Sequence, residues 1–228
     1  MIDGGRTGPP VLLLLSQTSH LESLMSRRPG FTLMELLMVI SVITILAVVL
    51  LPVCAQVRAS TQTATCLSNQ RQLGEAVSLY TQDYDECFPQ THPTATPWTF
   101  PEDEITLVTP WRTLMEPYVR SPRLFRCPSD WGAPNWHPTT YAPNGYTVYG
   151  ASLAAVEQPS NTIYSAELQP GALLDDFSPW DGAESLMDTL AVSRHSGGAI
   201  YLFVDGHAKR LSYEQTWLPV NRYVLSGR

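Results

Sequence analysis

From Phe31 to Leu51 the chain runs through 21 residues of which Glu35 alone is ionisable. About 20 apolar residues in a helix are enough to cross a bilayer, so this run predicts a helix of membrane length. Pro52 follows and, having no backbone N–H, predicts a kink there. The pattern then changes rather than stopping. Between Cys54 and Tyr84 there is no proline and one glycine, Gly74, and Cys66, Leu73, Val77, Tyr80 and Tyr84 recur at steps of 7, 4, 3 and 4. Those steps line one face of a helix, and Ser, Thr, Gln, Asn and Arg fill the other. A single helix over residues 31 to 84 would contain 54 residues and be about 80 Å long at 1.5 Å per residue. "DYDECFPQ" closes it: Asp83, Asp85 and Glu86 oppose the helix dipole, and Pro89 bars continuation.

Prolines 89, 93, 97, 101 and 110 make the next stretch a long irregular connection, with a turn of helix expected at Trp111–Val119. "LFRCPSD" (Leu124–Asp130) predicts a short strand entering a turn. The last third predicts an antiparallel sheet from β-rich runs bounded by Gly, Pro or Asn: "GYTVYG" (Gly145–Gly150), "NTIYSAE" (Asn161–Glu167), "AIYLFVD" (Ala199–Asp205) and "HAKRLS" (His207–Ser212). Asp205-Gly206 between the last two signals a tight hairpin, of type I′ by its residues. "ASLAAVEQPS" predicts a short helix between Gly150 and Asn161. The expected fold class is therefore α+β, a long N-terminal hydrophobic helix packed on a C-terminal antiparallel sheet.

Charge narrows the function. Fourteen basic against 21 acidic residues give a formal net charge of -7, with no basic patch, which argues against nucleic acid as a partner. Arg27 and Arg28 stand just before the apolar run, and positive charge stays cytoplasmic. The expected topology is single-pass, with a cytoplasmic N-terminus and an extracytoplasmic head. A cleaved secretory signal fits poorly, because such apolar cores are only about 7–15 residues long and "VVLLPVCAQ" offers a poor cleavage site. A plain signal anchor would leave Glu35 as a carboxylate tolerated near the interface.

The string Gly30, Phe31, Thr32, Leu33, Glu35 resembles the leader of type IV prepilins and type II secretion pseudopilins. The resemblance implies that a prepilin peptidase cuts between Gly30 and Phe31 and methylates the new amine. Glu35 then becomes mature residue 5 (31 to 35) and Pro52 residue 22 (31 to 52), where the family keeps its glutamate and often a kinking proline. It also implies that the Glu35 carboxylate of one subunit meets the Phe31 ammonium of the next, since a paired buried ion costs far less than a lone one. Glu35 is in that sense a register device for assembly. The implied partners are the peptidase, other pilin or pseudopilin subunits, the inner-membrane assembly platform and membrane lipid. The expected division is a leader over 1–30, an assembly half of the helix over 31–53, an amphipathic half over 54–88 and a head over 89–228. Met25 opens a compact basic leader, "MSRRPG", so residues 1–24 read as an upstream extension.

A second resemblance covers the head. "RHSGGAIYLFVDG" places nine residues between His195 and Asp205-Gly206, like the H-x₉-D-G class of prepilin-like proteins. That class also carries motifs matched here by Cys66–Gly74, Tyr80–Pro89 and Phe125–Asp130. Cys66 and Cys127 lie in those motifs and are the preferred disulfide, with Cys87–Cys127 as the alternative; Cys54 is expected free. His195 and Asp205 are expected to tie the hairpin rather than do chemistry, although a metal-dependent hydrolase using both is the enzyme reading. "DGAESLMD" (Asp181–Asp188) is a weak calcium candidate without the EF-hand pattern. Neither a metal nor another cofactor is expected. The functional reading is a structural subunit of a pilus or pseudopilus; the alternative is a membrane-anchored binding module that never polymerises.

Overall fold

The computed structural model describes residues 30–91, 109–132, 139–172, 176–218 and 220–225. The leader before Gly30 and most of the proline-rich connection lie outside them. Helix α1 spans Leu33–Asp83 with Pro52 inside it. Its only interior glycine is Gly74, and its threonines and serines return their hydroxyls to carbonyls four residues back, as Thr61 does to Val57 and Thr63 to Ala59. Such bonds satisfy the hydroxyls locally by sharing carbonyls of the helix ladder, at a small cost in helix stability. The helix stops at Asp83, before Pro89 is reached. Asp85 and Glu86 take positive φ (49° and 59°), and the Glu86 N–H donates to the Thr81 carbonyl, as in a left-handed C-terminal cap.

By its internal contacts the chain divides into residues 1–52 and 53–228. In the first unit the side chains from Phe31 to Leu51 are almost all exposed, Leu33 at 79%. Among the described residues α1 is the one helix long and apolar enough to cross a membrane. An apolar surface of this extent requires a bilayer or a protein partner to cover it.

The second unit is the α+β head. Its sheet has four antiparallel strands in sequence order, β1 (Tyr141–Pro143), β2 (Ile163–Glu167), β3 (Ala199–Phe203) and β4 (Ala208–Leu211). Tyr141 pairs with Glu167, Ala166 with Tyr201, and Tyr201 with Lys209. Both faces of the sheet are covered. Ile200 and Leu202 pack with Cys66, Leu73, Val77 and Tyr80 of α1 and with Trp111, Met115 and Phe125. Ala199, Tyr201 and Phe203 face a second cluster with Phe177, Leu186, Leu190 and Tyr223. A strand buried on both sides has no polar face to display, which is why "AIYLF" is apolar throughout.

Trp111–Met115 forms α2 and continues as a 3₁₀ turn, Glu116–Tyr118. Several sequence expectations need correction. Gly145–Val148 is the short helix α3, because the side chain of Asn144 caps it by accepting from the Tyr146 N–H. "LFRCPSD" contains the end of a 3₁₀ turn, Pro122–Phe125, started by Ser121 accepting from the Arg123 N–H. The expected helix after Gly150 shrinks to a 3₁₀ turn, Leu153–Ala155, while β1 and the helix α4 (Ala183–Thr189) arise where no element was expected. A last helical turn, α5, covers Glu214–Trp217. Tyr84 leaves the buried stripe and is 53% exposed, because the helix ends just before it. Between β3 and β4 the Phe203–His207 bond closes a three-residue loop, residues 204 to 206. Gly206 alone has positive φ (88°), its N–H donates to the Phe203 carbonyl, and Phe203 N–H donates to the His207 carbonyl. That is a type I turn closed by a left-handed glycine, not a type I′ turn.

Candidate functional site

Two places collect chemistry, one in each unit. At the start of α1, Thr32 and Glu35 form a reciprocal cap. The Thr32 N–H and hydroxyl donate to Glu35 Oε2 at 2.9 and 2.8 Å, and the Glu35 N–H donates to Thr32 Oγ1 at 3.2 Å. This is a capping box, which satisfies two otherwise orphaned donors of the first turn. The T-x-x-E spacing before an apolar run was present in the sequence and is the signal that would have found it. Oε1 takes no part in these bonds and remains open to a second partner. Gly30 and Phe31 precede the helix, exposed and in open chain.

In the head, four side chains distant in sequence converge. Cys66 of α1 is disulfide-bonded to Cys127, with Cα atoms 5.2 Å apart. His195 Nε2 lies 2.9 Å from Glu167 Oε1 and 3.5 Å from Cys127 Sγ. Glu167 Oε2 accepts from the Ile200 N–H at 3.0 Å, which fixes the carboxylate on the sheet. His195 Nδ1 lies 3.2 Å from Thr63 Oγ1. The Thr63 proton is already donated to the Ala59 carbonyl at 2.9 Å, so Nδ1–H is the donor to Thr63. A proton must then lie between Nε2 and Glu167, because two lone pairs at 2.9 Å would repel.

The cluster is buried, with Cys66 and Glu167 at 0% exposure and His195 at 2%. Tyr141, paired with Glu167 in the sheet, has its phenol pushed well up by burial and by the Glu167 charge, with Asn69 opposing. Beside the cluster, Arg194 forms a buried ion pair with Asp130 at 3.2 Å and donates to the Leu168 carbonyl at 2.6 Å. That pair ties the loop after Cys127 to the loop carrying His195. An open groove of about 390 Å³ runs past His195, lined among others by Gln62, Thr63, Trp131, Ser193 and Arg194.

Asp205 is not part of this cluster. It accepts from the His207 N–H at 3.2 Å and pairs with the His207 ring, a tie within its own turn. The five residues of β3, each advancing about 3.3 Å, stand between it and His195. A hydrolase or metal site shared by His195 and Asp205 is therefore excluded by placement. The order Thr63–His195–Glu167 has the connectivity of nucleophile, base and orienter. In this arrangement the Thr63 hydroxyl is turned to the Ala59 carbonyl and accepts from the imidazole, the reverse of what a nucleophile needs. Cys54 and Cys87 are free. Asp181, Glu184 and Asp188 fall in a 3₁₀ turn and α4. Among the described residues, the one group of three or more His, Cys, Asp or Glu side chains close enough to share an ion is Cys66, Cys127, Glu167 and His195. Glu167 was missed from sequence: it sits in a β-rich run where nothing local marks it.

Residues 25–51 match the family model of the prokaryotic N-terminal methylation motif. The match holds Gly30, Phe31, Thr32 and Glu35 and most of the apolar run. It marks a type IV prepilin-like precursor. No curated protein and no solved structure matches the chain. The methylation motif and the long apolar helix α1 fit a single-pass inner-membrane anchor, and the prepilin motif implies a prepilin peptidase and other pilin subunits as partners.

Proposed function

We propose that this prepilin-like chain is a structural subunit of a type IV pilus or type II secretion pseudopilus, not an enzyme. Prepilin peptidase cuts between Gly30 and Phe31 and methylates the new amine. The N-terminus is cytoplasmic, held by Arg27 and Arg28, and the head is extracytoplasmic. Subunits leave the membrane through the assembly platform and stack with the Glu35 carboxylate of one against the Phe31 ammonium of the next. Pro52 kinks the helix at mature position 22 (31 to 52). The observation that carries this reading is the methylation motif over residues 25–51, set on an apolar run with one carboxylate. The exposed apolar surface supports it, because stacking would cover that surface once the bilayer is left behind. The H-x₉-D-G resemblance points toward a class of prepilin-like proteins and names no machine.

Intact-mass and N-terminal analysis of the membrane-extracted protein tests it. The expected chain begins at Phe31 and carries one added methyl group. A chain beginning at Met1 or Met25 refutes processing. The groove beside His195 favours a second reading, a membrane-anchored binding module. A processed chain that never enters sheared or sedimented filaments would select it.

A further inference from the structure

The geometry points to a metal site: we propose that, with the Cys66–Cys127 bond reduced, Cys66, Cys127, Glu167 and His195 hold one zinc-class divalent cation. The ligand atoms of these four residues all lie within 4.8 Å of one another and are buried. Two thiolates, one imidazole and one carboxylate are a ligand set that suits zinc, which prefers four tetrahedral N, S and O donors.

Bonds of about 2.0–2.3 Å place tetrahedral ligand atoms about 3.3–3.8 Å apart. Once reduced, the sulfurs have to part by only about 1.7 Å from bonding distance, and the outermost pair has to close by about 1 Å. The supporting contacts are in place as well. A metal-binding imidazole ordinarily donates its other N–H to an oxygen, and His195 Nδ1–H already does so to Thr63 Oγ1 at 3.2 Å. The nitrogen left for the ion is Nε2, the one that faces Glu167 and Cys127. Glu167 Oε2 is anchored by the Ile200 N–H, which leaves Oε1 as the ligand. Of the four residues, His195 lines the open groove, so an ion would approach along its ring.

The balance is closed. A dithiol donor transfers two electrons and two protons to the Cys66–Cys127 bond, giving two thiols, and itself becomes a disulfide. A divalent cation then displaces both thiol protons and the proton held between His195 and Glu167. Three protons leave, and the site passes from net charge 0 to -1. The locus thus has two alternative cross-links between α1 and the head. One is a disulfide for an oxidising compartment; the other is a metal bridge for a chain that meets metal before oxidation. The inference stands on the head alone and does not depend on assembly into filaments.

The test uses the full chain in detergent micelles and cobalt(II) as the probe. A phosphine reductant, converted with water to its oxide, supplies reduced protein without competing as a thiol. The reduced chain is expected to bind one cobalt per molecule, with thiolate-to-metal charge-transfer absorption and tetrahedral ligand-field bands. The oxidised chain should show neither. His195→Gln and Glu167→Gln should each weaken binding by about tenfold or more, whereas a Cys54→Ser, Cys87→Ser double variant should bind like the parent. Reduced protein with native circular dichroism and no cobalt signal overturns the proposal. So does a signal that survives in Cys127→Ser or is lost with Cys54 and Cys87. If reduction unfolds the head, added zinc should restore the native circular dichroism, as it does for metal-dependent folds, and failure to restore it is equally decisive.

Discussion

Replacing Glu35 by Gln separates two roles that Glu35→Ala removes together. The carboxylate closes the first turn of α1, through Oε2 and the Thr32 N–H and hydroxyl. In the proposed filament, its charge also answers the Phe31 ammonium of a neighbour. Gln keeps a carbonyl oxygen at the same reach, and Glu and Gln serve alike at this position of a capping box. Gln therefore retains the cap and loses the charge.

The two contributions differ in size. Loss of a helix cap changes the local folding equilibrium by roughly 2- to 30-fold. Removing one partner of a desolvated ion pair, which leaves an ammonium unanswered in an apolar core, corresponds to roughly 10²- to 10⁴-fold. The measurement is the ratio of chain in sheared or sedimented filaments to chain left in the membrane, quantified by mass spectrometry beside the N-terminal sequence. Glu35→Gln should be cleaved normally and lose assembly about a hundredfold or more, nearly as much as Glu35→Ala. If Glu35→Gln assembles like the parent while Glu35→Ala does not, the residue is a cap and the register argument is wrong.

The head allows further tests. Burial pushes the phenols of Tyr164, Tyr201 and Tyr223 well above their ordinary range; the Trp111 N–H bond to Tyr164 opposes this only in part, and Tyr201 pushes Tyr223 higher still. The unfolded chain therefore ionises first, so stability is full below pH about 10 and falls as pH rises toward the folded values; alkaline melts followed by phenolate absorbance should show native tyrosines that ionise only on unfolding. Gln70 is fully buried, with neither its amide nitrogen nor its oxygen hydrogen-bonded. Gln70→Met keeps much of the volume without the desolvation cost and should raise stability by about 1–2 kcal/mol, a gain read from denaturant midpoints; a loss would mean that the amide has a partner in solution.

The elements legible in sequence were those with long-range periodicity or explicit turn chemistry. The apolar run, the stripe through Cys66, Leu73, Val77 and Tyr80, and the strands around "NTIYSAE", "AIYLFVD" and "HAKRLS" all have both enough length and a boundary. The failures were local. "GYTVYG" has β-forming residues, but Asn144 before it donates from its side-chain nitrogen to the Ile163 and Tyr223 carbonyls while capping α3 with its oxygen. Three hydrogen bonds of one buried asparagine side chain outweigh the propensity of four residues. The site was half legible. Cysteines and a histidine draw attention by type, whereas Glu167 gains its role only when sheet pairing sets it beside Tyr141 and under the His195 loop. The partner assigned to His195 in sequence, Asp205, was near along the chain but beyond the far end of a strand.

That strand explains why His195 and Gly206 belong together despite making no contact of their own. Each touches α1 at a different point. His195 reaches Thr63, and Gly206 presses on Gly74, where an added Cβ would lie 2.9 Å from the Gly206 carbonyl oxygen and 2.8 Å from Leu202 Cδ1. Thr63 and Gly74 are 11 residues apart (63 to 74), about 16 Å along a helix, and the five residues of β3 advance about 16 Å. A five-residue strand with a turn at each end is thus long enough to set one contact at either end of that stretch of helix. Thr63→Val strands the Nδ1–H and should cost about 1–3 kcal/mol. Gly74→Ala gains about 1 kcal/mol in helix propensity but must move backbone at Gly206, so the overpacking cost of about 1–3 kcal/mol wins or cancels it, and no net stabilisation is expected. Contacts this far apart should act independently, and the double variant should lose the sum of the two effects to within about 0.5 kcal/mol. A double variant much less destabilised than that sum would mean that either contact alone already releases the strand, and the two-ended clamp would have to be abandoned.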